Sequence, residues 1–238
     1  MASHREIYAA TPKPEIIRPD FDGISEAMKA EARWVLWRLE WRGAWSKVPY
    51  AAAGHRASST SPSHWAGFDT VKAAYLAGGY DGIGFVLGDG WAGIDLDDCR
   101  ADDGTIAKWA KQILRAAKSY AEISPSGTGV KIFGRGTLAT EQTKFACEGG
   151  TVEVYDNARY FCVTGSEGCG EPADLTAILN RIADTLSPTS SAVAIRREFV
   201  VKSDKTKTVQ EPDTPEYHRA KADAYARLIH EWYGETVA

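Results

Sequence analysis

The chain has 238 residues, 44% of them hydrophobic, so it can bury a sizeable core as one large domain or one domain plus an appendage. A net charge of −4 argues against binding nucleic acid by bulk charge and leaves room only for a locally basic groove. No apolar run approaches a membrane span, and residues 1–16 lack the apolar core of a signal peptide, so reduced thiols in a cytosol are expected. Cys99, Cys147, Cys162 and Cys169 show no CxxC spacing, which argues against a zinc knuckle.

Residues 1–22, with Pro12, Pro14 and Pro19, read as an extended leader. Lys29, Arg33, Arg38, Arg42, Lys47 and Arg56 then outnumber Glu31 and Glu40, the local basic stretch that the whole-chain balance hides. Within it the spacing predicts a strand pair, Trp34–Leu39 and Ser46–Tyr50, joined through Arg42-Gly43. A small-residue loop with His55 and Arg56 follows, and Phe68–Leu76 has helical spacing that stops at Gly78-Gly79.

The most informative stretch is Gly93-Ile94-Asp95-Leu96-Asp97-Asp98. Ile83–Leu87 precedes it across Gly88-Asp89-Gly90, which reads as a β-hairpin. Side chains alternate on a strand, so Asp95 and Asp97 share one face and Ile94 and Leu96 the other. Two acids side by side on a buried strand need a counter-charge, and a pair of divalent cations is the simplest. An EF-hand calcium loop needs a different ligand pattern. Asp98, Asp102 and Asp103 are expected to serve the start of the next helix, whose apolar face is Ile106, Trp109, Ala110, Ile113, Leu114 and Ala117.

Short strands are predicted at Ala121–Ile123, Gly129–Phe133, Thr151–Tyr155 and Tyr160–Val163, then a helix from about Ala173 to Leu186. Between the first two lies Ser124-Pro125-Ser126-Gly127-Thr128-Gly129, a turn whose amides can face an anion, with Lys131 just beyond it. The alternative is a tight turn with a surface lysine; no helix follows, so it is not a Walker A loop. Glu153, between two valines, faces either solvent or the site of Asp95 and Asp97. Arg159 supplies a guanidinium suited to a triphosphate oxygen. The domain is expected to occupy residues 23–186, a Ser/Thr/Lys-rich linker residues 187–212, and an appended helix residues 213–238.

Taken in order, the strand with two acids, the helix, the Ser/Gly turn with lysine, and the strand with a third acid and an arginine resemble the archaeo-eukaryotic primase superfamily. The likeness is to the primase-polymerase domains of phage and plasmid replication proteins. Ile94-Asp95-Leu96-Asp97 matches the first motif of that family and Val152-Glu153-Val154 the third. Trp34–Trp37, Lys47-Val48-Pro49, Gly82–Phe85 and Arg159–Gly165 also look like this branch. Lys131 stands where the family's second motif usually ends in a histidine.

The resemblance implies an α+β fold with an RRM-like half carrying the acids, a smaller α/β half carrying the Ser/Gly turn, and the active site in the groove between them. It implies template-dependent nucleotidyl transfer with two Mg²⁺ or Mn²⁺ ions on Asp95, Asp97 and Glu153. Ser124, Ser126, Gly127, Thr128, Gly129, Lys131 and Arg159 would hold the triphosphate. Lys47, His55 and Arg56 are candidates for single-stranded template or primer contacts. A replicative helicase, in the same or another chain, is the expected partner, in the host cytoplasm if the protein is phage-encoded. Two other readings stay open: a metal-dependent nuclease, and an inactive module that binds nucleotide or single strands.

Overall fold

A computed structural model describes residues 11–147 and 149–186, so the expected linker and C-terminal helix lie outside the described residues. In chain order the elements are α1 (Glu26–Lys29), β1 (Trp34–Trp41), β2 (Trp45–Tyr50), α2 (Phe68–Leu76), β3 (Gly82–Val86), β4 (Trp91–Asp97) and α3 (Lys108–Ala117). Then come β5 (Tyr120–Ile123), β6 (Val130–Arg135), β7 (Lys144–Cys147), β8 (Gly150–Tyr155), β9 (Tyr160–Val163) and α4 (Thr176–Leu186). The architecture is mixed α/β, built on two antiparallel sheets of order β2-β1-β3-β9 and β5-β6-β4-β8-β7.

Alternation along the strands sorts the side chains. On the first sheet Trp34 and Leu36 oppose Phe85 and Ile83, which in turn oppose Phe161 and Val163. This face packs with Phe68 and Val71 of α2 and with Trp91, Tyr120 and Phe133 from the second sheet. Edge-to-face rings link the two sheets, Phe85 to Trp91 at 4.8 Å and Phe133 to Phe161 at 5.7 Å, each such pair adding about 0.5–1.5 kcal/mol beyond its buried area. The opposite face of the second sheet carries Ile94, Leu96, Val130, Ile132, Val152 and Val154, all buried. Helices α3 and α4 cover it: a Cβ at Gly150 would lie 2.8 Å from Trp109, and one at Gly136 3.2 Å from Leu179.

Two local expectations are corrected. The Gly88-Asp89-Gly90 turn does close, with Gly88 and Trp91 exchanging backbone bonds of 2.9 and 3.0 Å, but β3 and β4 do not pair as a hairpin. Both edges of β3 are taken by β1 and β9, and both edges of β4 by β6 and β8. Three successive positive φ values at Gly88, Asp89 and Gly90 swing the chain from one sheet into the other. Nor do Asp102 and Asp103 start α3, which begins at Lys108 after Ala107. Residues 99–107 instead form a loop closed by Ala101 N–H on the Thr105 carbonyl (2.9 Å), and Asp103 accepts from Thr105 N–H at 2.7 Å.

Residues 11–22 lack regular structure yet are tied along their length. Lys13 pairs with Asp81 at 2.6 Å, and Ile16 packs against the cluster of Trp37, Leu39 and Cys162. Ile17 N–H donates to the Pro125 carbonyl at 2.8 Å, and Asp20 N–H to the Thr164 carbonyl at 2.6 Å. The four cysteines are free thiols, and no described helix is long and apolar enough to cross a membrane.

Candidate active site

Asp95 lies on β4, the middle strand of five, opposite Lys131 on β6 and Glu153 on β8. The outer strands continue the row, β5 placing Glu122 opposite Lys131 and β7 placing Lys144 opposite Glu153. Directly opposed residues point to one face, so Glu122, Lys131, Asp95, Glu153 and Lys144 cross the whole sheet as a single charged line. Asp97, two residues on, shares that face and lies opposite Thr151. Gly93, two residues back, lies under Phe161 of the other sheet; a Cβ there would fall 2.5 Å from the ring, so only glycine lets the ring sit so close.

Each acid of the central pair has a lysine. Lys131 donates to Asp95 Oδ2 and lies 4.8 Å over the Phe161 ring, with both members of the ion pair buried. Glu153 Oε1 accepts from Lys144 at 2.6 Å, and its Oε2 from Tyr155 at 2.9 Å and Arg159 at 3.5 Å. Burial works against the Lys131 ammonium, but Asp95 outweighs it and raises the lysine above its ordinary range. Burial also opposes the Glu153 carboxylate, and here the Lys144 and Tyr155 hydrogen bonds win and hold it below the ordinary value. Asp97 makes no ion pair among the described residues; burial first, then the charge of Asp95, pushes its carboxyl up.

As the side chains stand, no three acidic, histidine or cysteine residues among those described are gathered closely enough to hold a metal ion. The donor set nevertheless suits a hard divalent cation. All candidates are carboxylate oxygens on one face, and Asp95 Oδ1 is buried with no hydrogen-bond partner among the described residues.

The Ser/Gly turn, expected in a separate half, instead joins β5 to β6 of the same sheet as the acids and abuts the end of β4, where a Cβ on Gly129 would lie 3.5 Å from the Asp97 Cα. Its hydroxyls form a chain, Ser124 to Ser126 and Ser126 to Thr128, each at 3.0 Å. The amides of Ser124 and Gly127 bond inside the turn at 2.9 Å, and that of Gly129 reaches Ser124 Oγ at 3.2 Å. The hydroxyls, rather than those three amides, are therefore what the turn offers a ligand.

No family model matches the chain. It is 38% identical over 147 residues to a DNA primase-polymerase of Nitratiruptor phage NrS-1, a match covering 59% of this chain. The matched region is a domain of the phage primase-polymerase type. The chain covers 20% of the length of that relative.

Three of the remaining sequence candidates have partners of their own. Arg159 stacks on Tyr155, its guanidinium 4.8 Å from the ring. Lys47 is exposed on β2; burial dominates the Cys162 thiol, raising it to about 11, while Lys47 and Lys131 act on it as nearby positive charges. Arg56 pairs with Glu40 at 2.6 Å, and the His55 ring packs edge-on to His64 at 5.2 Å. Sequence reasoning missed Lys144, Tyr155 and Glu122 as site residues. Glu122 is buried, with burial raising its carboxyl to about 7 against donors from Thr164 N–H, Tyr120 and Gly165 N–H at 2.7–2.9 Å. A signal for two of them existed: hairpins closing at 124–129 and 147–150 put Glu122 opposite Lys131 and Lys144 opposite Glu153.

Proposed function

We propose that this domain is a template-dependent DNA primase-polymerase, a nucleotidyltransferase that joins a nucleoside triphosphate to a 3′-hydroxyl during phage or plasmid DNA replication. The observation that carries the reading is the register of Asp95 with Glu153, with Asp97 on the same face, in a chain related to a phage primase-polymerase.

Asp95, Asp97 and Glu153 would hold two Mg²⁺ or Mn²⁺ ions. When bound, such ions favour ionisation of the attacking hydroxyl and stabilise charge on the departing pyrophosphate. The protein's own side chains do the rest. Lys131 holds Asp95 in place from the side away from Glu153, a positioning role in place of the direct phosphate contact expected from sequence. Tyr155 orients Glu153. Ser124, Ser126 and Thr128 offer hydroxyls to the triphosphate, and Arg159, half exposed, offers a fork of donors to its oxygens. Lys47, with His55 and Arg56 farther along the same region, would meet the phosphates of a single-stranded template or primer. The expected groove between an RRM-like half and a smaller α/β half would hold these substrates, with a helicase in the same or another chain as partner.

The test is primer extension and de novo synthesis on single-stranded DNA with dNTPs or NTPs, in Mg²⁺ and in Mn²⁺. Asp95→Asn and Asp97→Asn should each lower incorporation by at least about a hundredfold while leaving the circular dichroism spectrum unchanged. Full incorporation by either variant refutes the reading, and primer degradation without added nucleotides points to a nuclease.

A further inference from the structure

The two lysines of the charged row are held differently. The Lys131 side chain is 7% exposed and enclosed by Asp95 and Phe161, whereas that of Lys144, on the edge strand β7, is 65% exposed. Taking the ammonium from Asp95 would leave both a lysine and a carboxylate buried and unpaired; at Glu153 the lysine returns to water, and only the carboxylate, 9% exposed, needs a replacement charge, which an entering cation supplies. Glu153 would also keep its orientation, because Tyr155 holds Oε2 while Lys144 holds Oε1. Beside it, on the adjoining strand, Asp95 carries the buried, unpartnered Oδ1.

Building on the function proposed above, we propose that Lys144 is a displaceable counter-ion. It neutralises Glu153 while no divalent cation is bound, yields Oε1 to the cation, and turns its freed ammonium to the phosphates of the incoming nucleotide. Lys131 stays on Asp95 throughout. One exposed side chain would thereby link cation entry to nucleotide capture.

The experiment measures Mn²⁺ binding to the full chain by electron paramagnetic resonance, without nucleotide, in the parent protein and in Lys144→Ala, Lys144→Arg and Asp95→Asn. The pair joins an exposed lysine to a buried carboxylate, so Lys144→Ala should bind Mn²⁺ tighter by at least the factor of about two to five that an exposed pair is worth, and Lys144→Arg like the parent. Calorimetry at saturating Mn²⁺ should show Lys144→Ala binding a non-hydrolysable deoxynucleoside triphosphate about fivefold more weakly. Unchanged or weaker Mn²⁺ binding, or unchanged nucleotide binding, overturns this inference alone. Absence of Asp95-dependent Mn²⁺ binding in the parent overturns the proposed function, and this inference with it.

Discussion

Replacing Lys131 by methionine keeps the volume of the side chain and removes its charge. Asp95 then stands buried with Oδ2 stripped of its ammonium and Oδ1 already unpartnered. Breaking a buried pair from one side costs about 3–5 kcal/mol, a large share of the 5–15 kcal/mol that stabilises a typical domain. Adding Asp95→Asn removes the stranded charge, so the double variant should recover about half or more of that loss. Urea denaturation followed by tryptophan fluorescence at pH 7 reads both values. A loss below about 1 kcal/mol for Lys131→Met, or a double variant equal to the sum of the singles, refutes the assignment of Lys131 as counter-ion to Asp95.

Two further dependences follow from the same pair. The folded lysine titrates above its ordinary 10.5, so its contribution is complete below that pH and is lost as pH rises through the folded value. The gap between parent and Lys131→Met should therefore be flat across neutral pH and close in strong alkali. A cation bound near Asp95 substitutes for the missing ammonium, and at a hundred times its dissociation constant adds about 2.7 kcal/mol. Mn²⁺ should then stabilise Lys131→Met at least as much as the parent, and a smaller effect contradicts binding at Asp95.

The remaining predictions concern the support of the site. Gly93→Ala drives a methyl group to 2.5 Å from Phe161 and should cost about 1–3 kcal/mol by urea denaturation, partly restored by Phe161→Leu; a neutral Gly93→Ala contradicts the close ring contact. Glu122 titrates at about 7 folded against an ordinary 4.5, so the folded state holds the extra proton between those values and stability falls as pH rises through them, by on the order of 3 kcal/mol. Glu122→Gln lacks this slope, so its stability should gain on that of the parent between pH 5 and 8; a constant gap would show that Glu122 does not titrate there.

Legibility in the sequence followed the range of the interactions. Helix α2 begins and ends where its 3.6-residue spacing and the Gly78-Gly79 stop put it, and β9 where its apolar run does. The short edge strand β7 and the one-turn α1 carry too few residues for any period to register, and neither was expected. Between Ile83–Leu87 and the strand of Asp95, a Gly-Asp-Gly turn joining apolar runs is a strong local hairpin signal. That signal lost to tertiary packing, since each strand already had two neighbours from distant parts of the chain.

The site divides along the same line. Two hairpins, β5–β6 and β7–β8, each bring one acid opposite one lysine, a pairing that turn geometry alone dictates. Strand β4 then lies between them, its Asp95 level with Lys131 on one side and Glu153 on the other. Nothing local specifies that level. It is fixed by the opposite face, where Ile94 must meet Ile132 and Val154, and Leu96 must meet Val130 and Val152, against the helices. A slip of one residue would turn Asp95 and Asp97 into that apolar layer and take Asp95 from Lys131. The apolar residues between the acids thus determine which charges meet, and they do so through strands 36 and 58 residues away in the chain (131 less 95, 153 less 95).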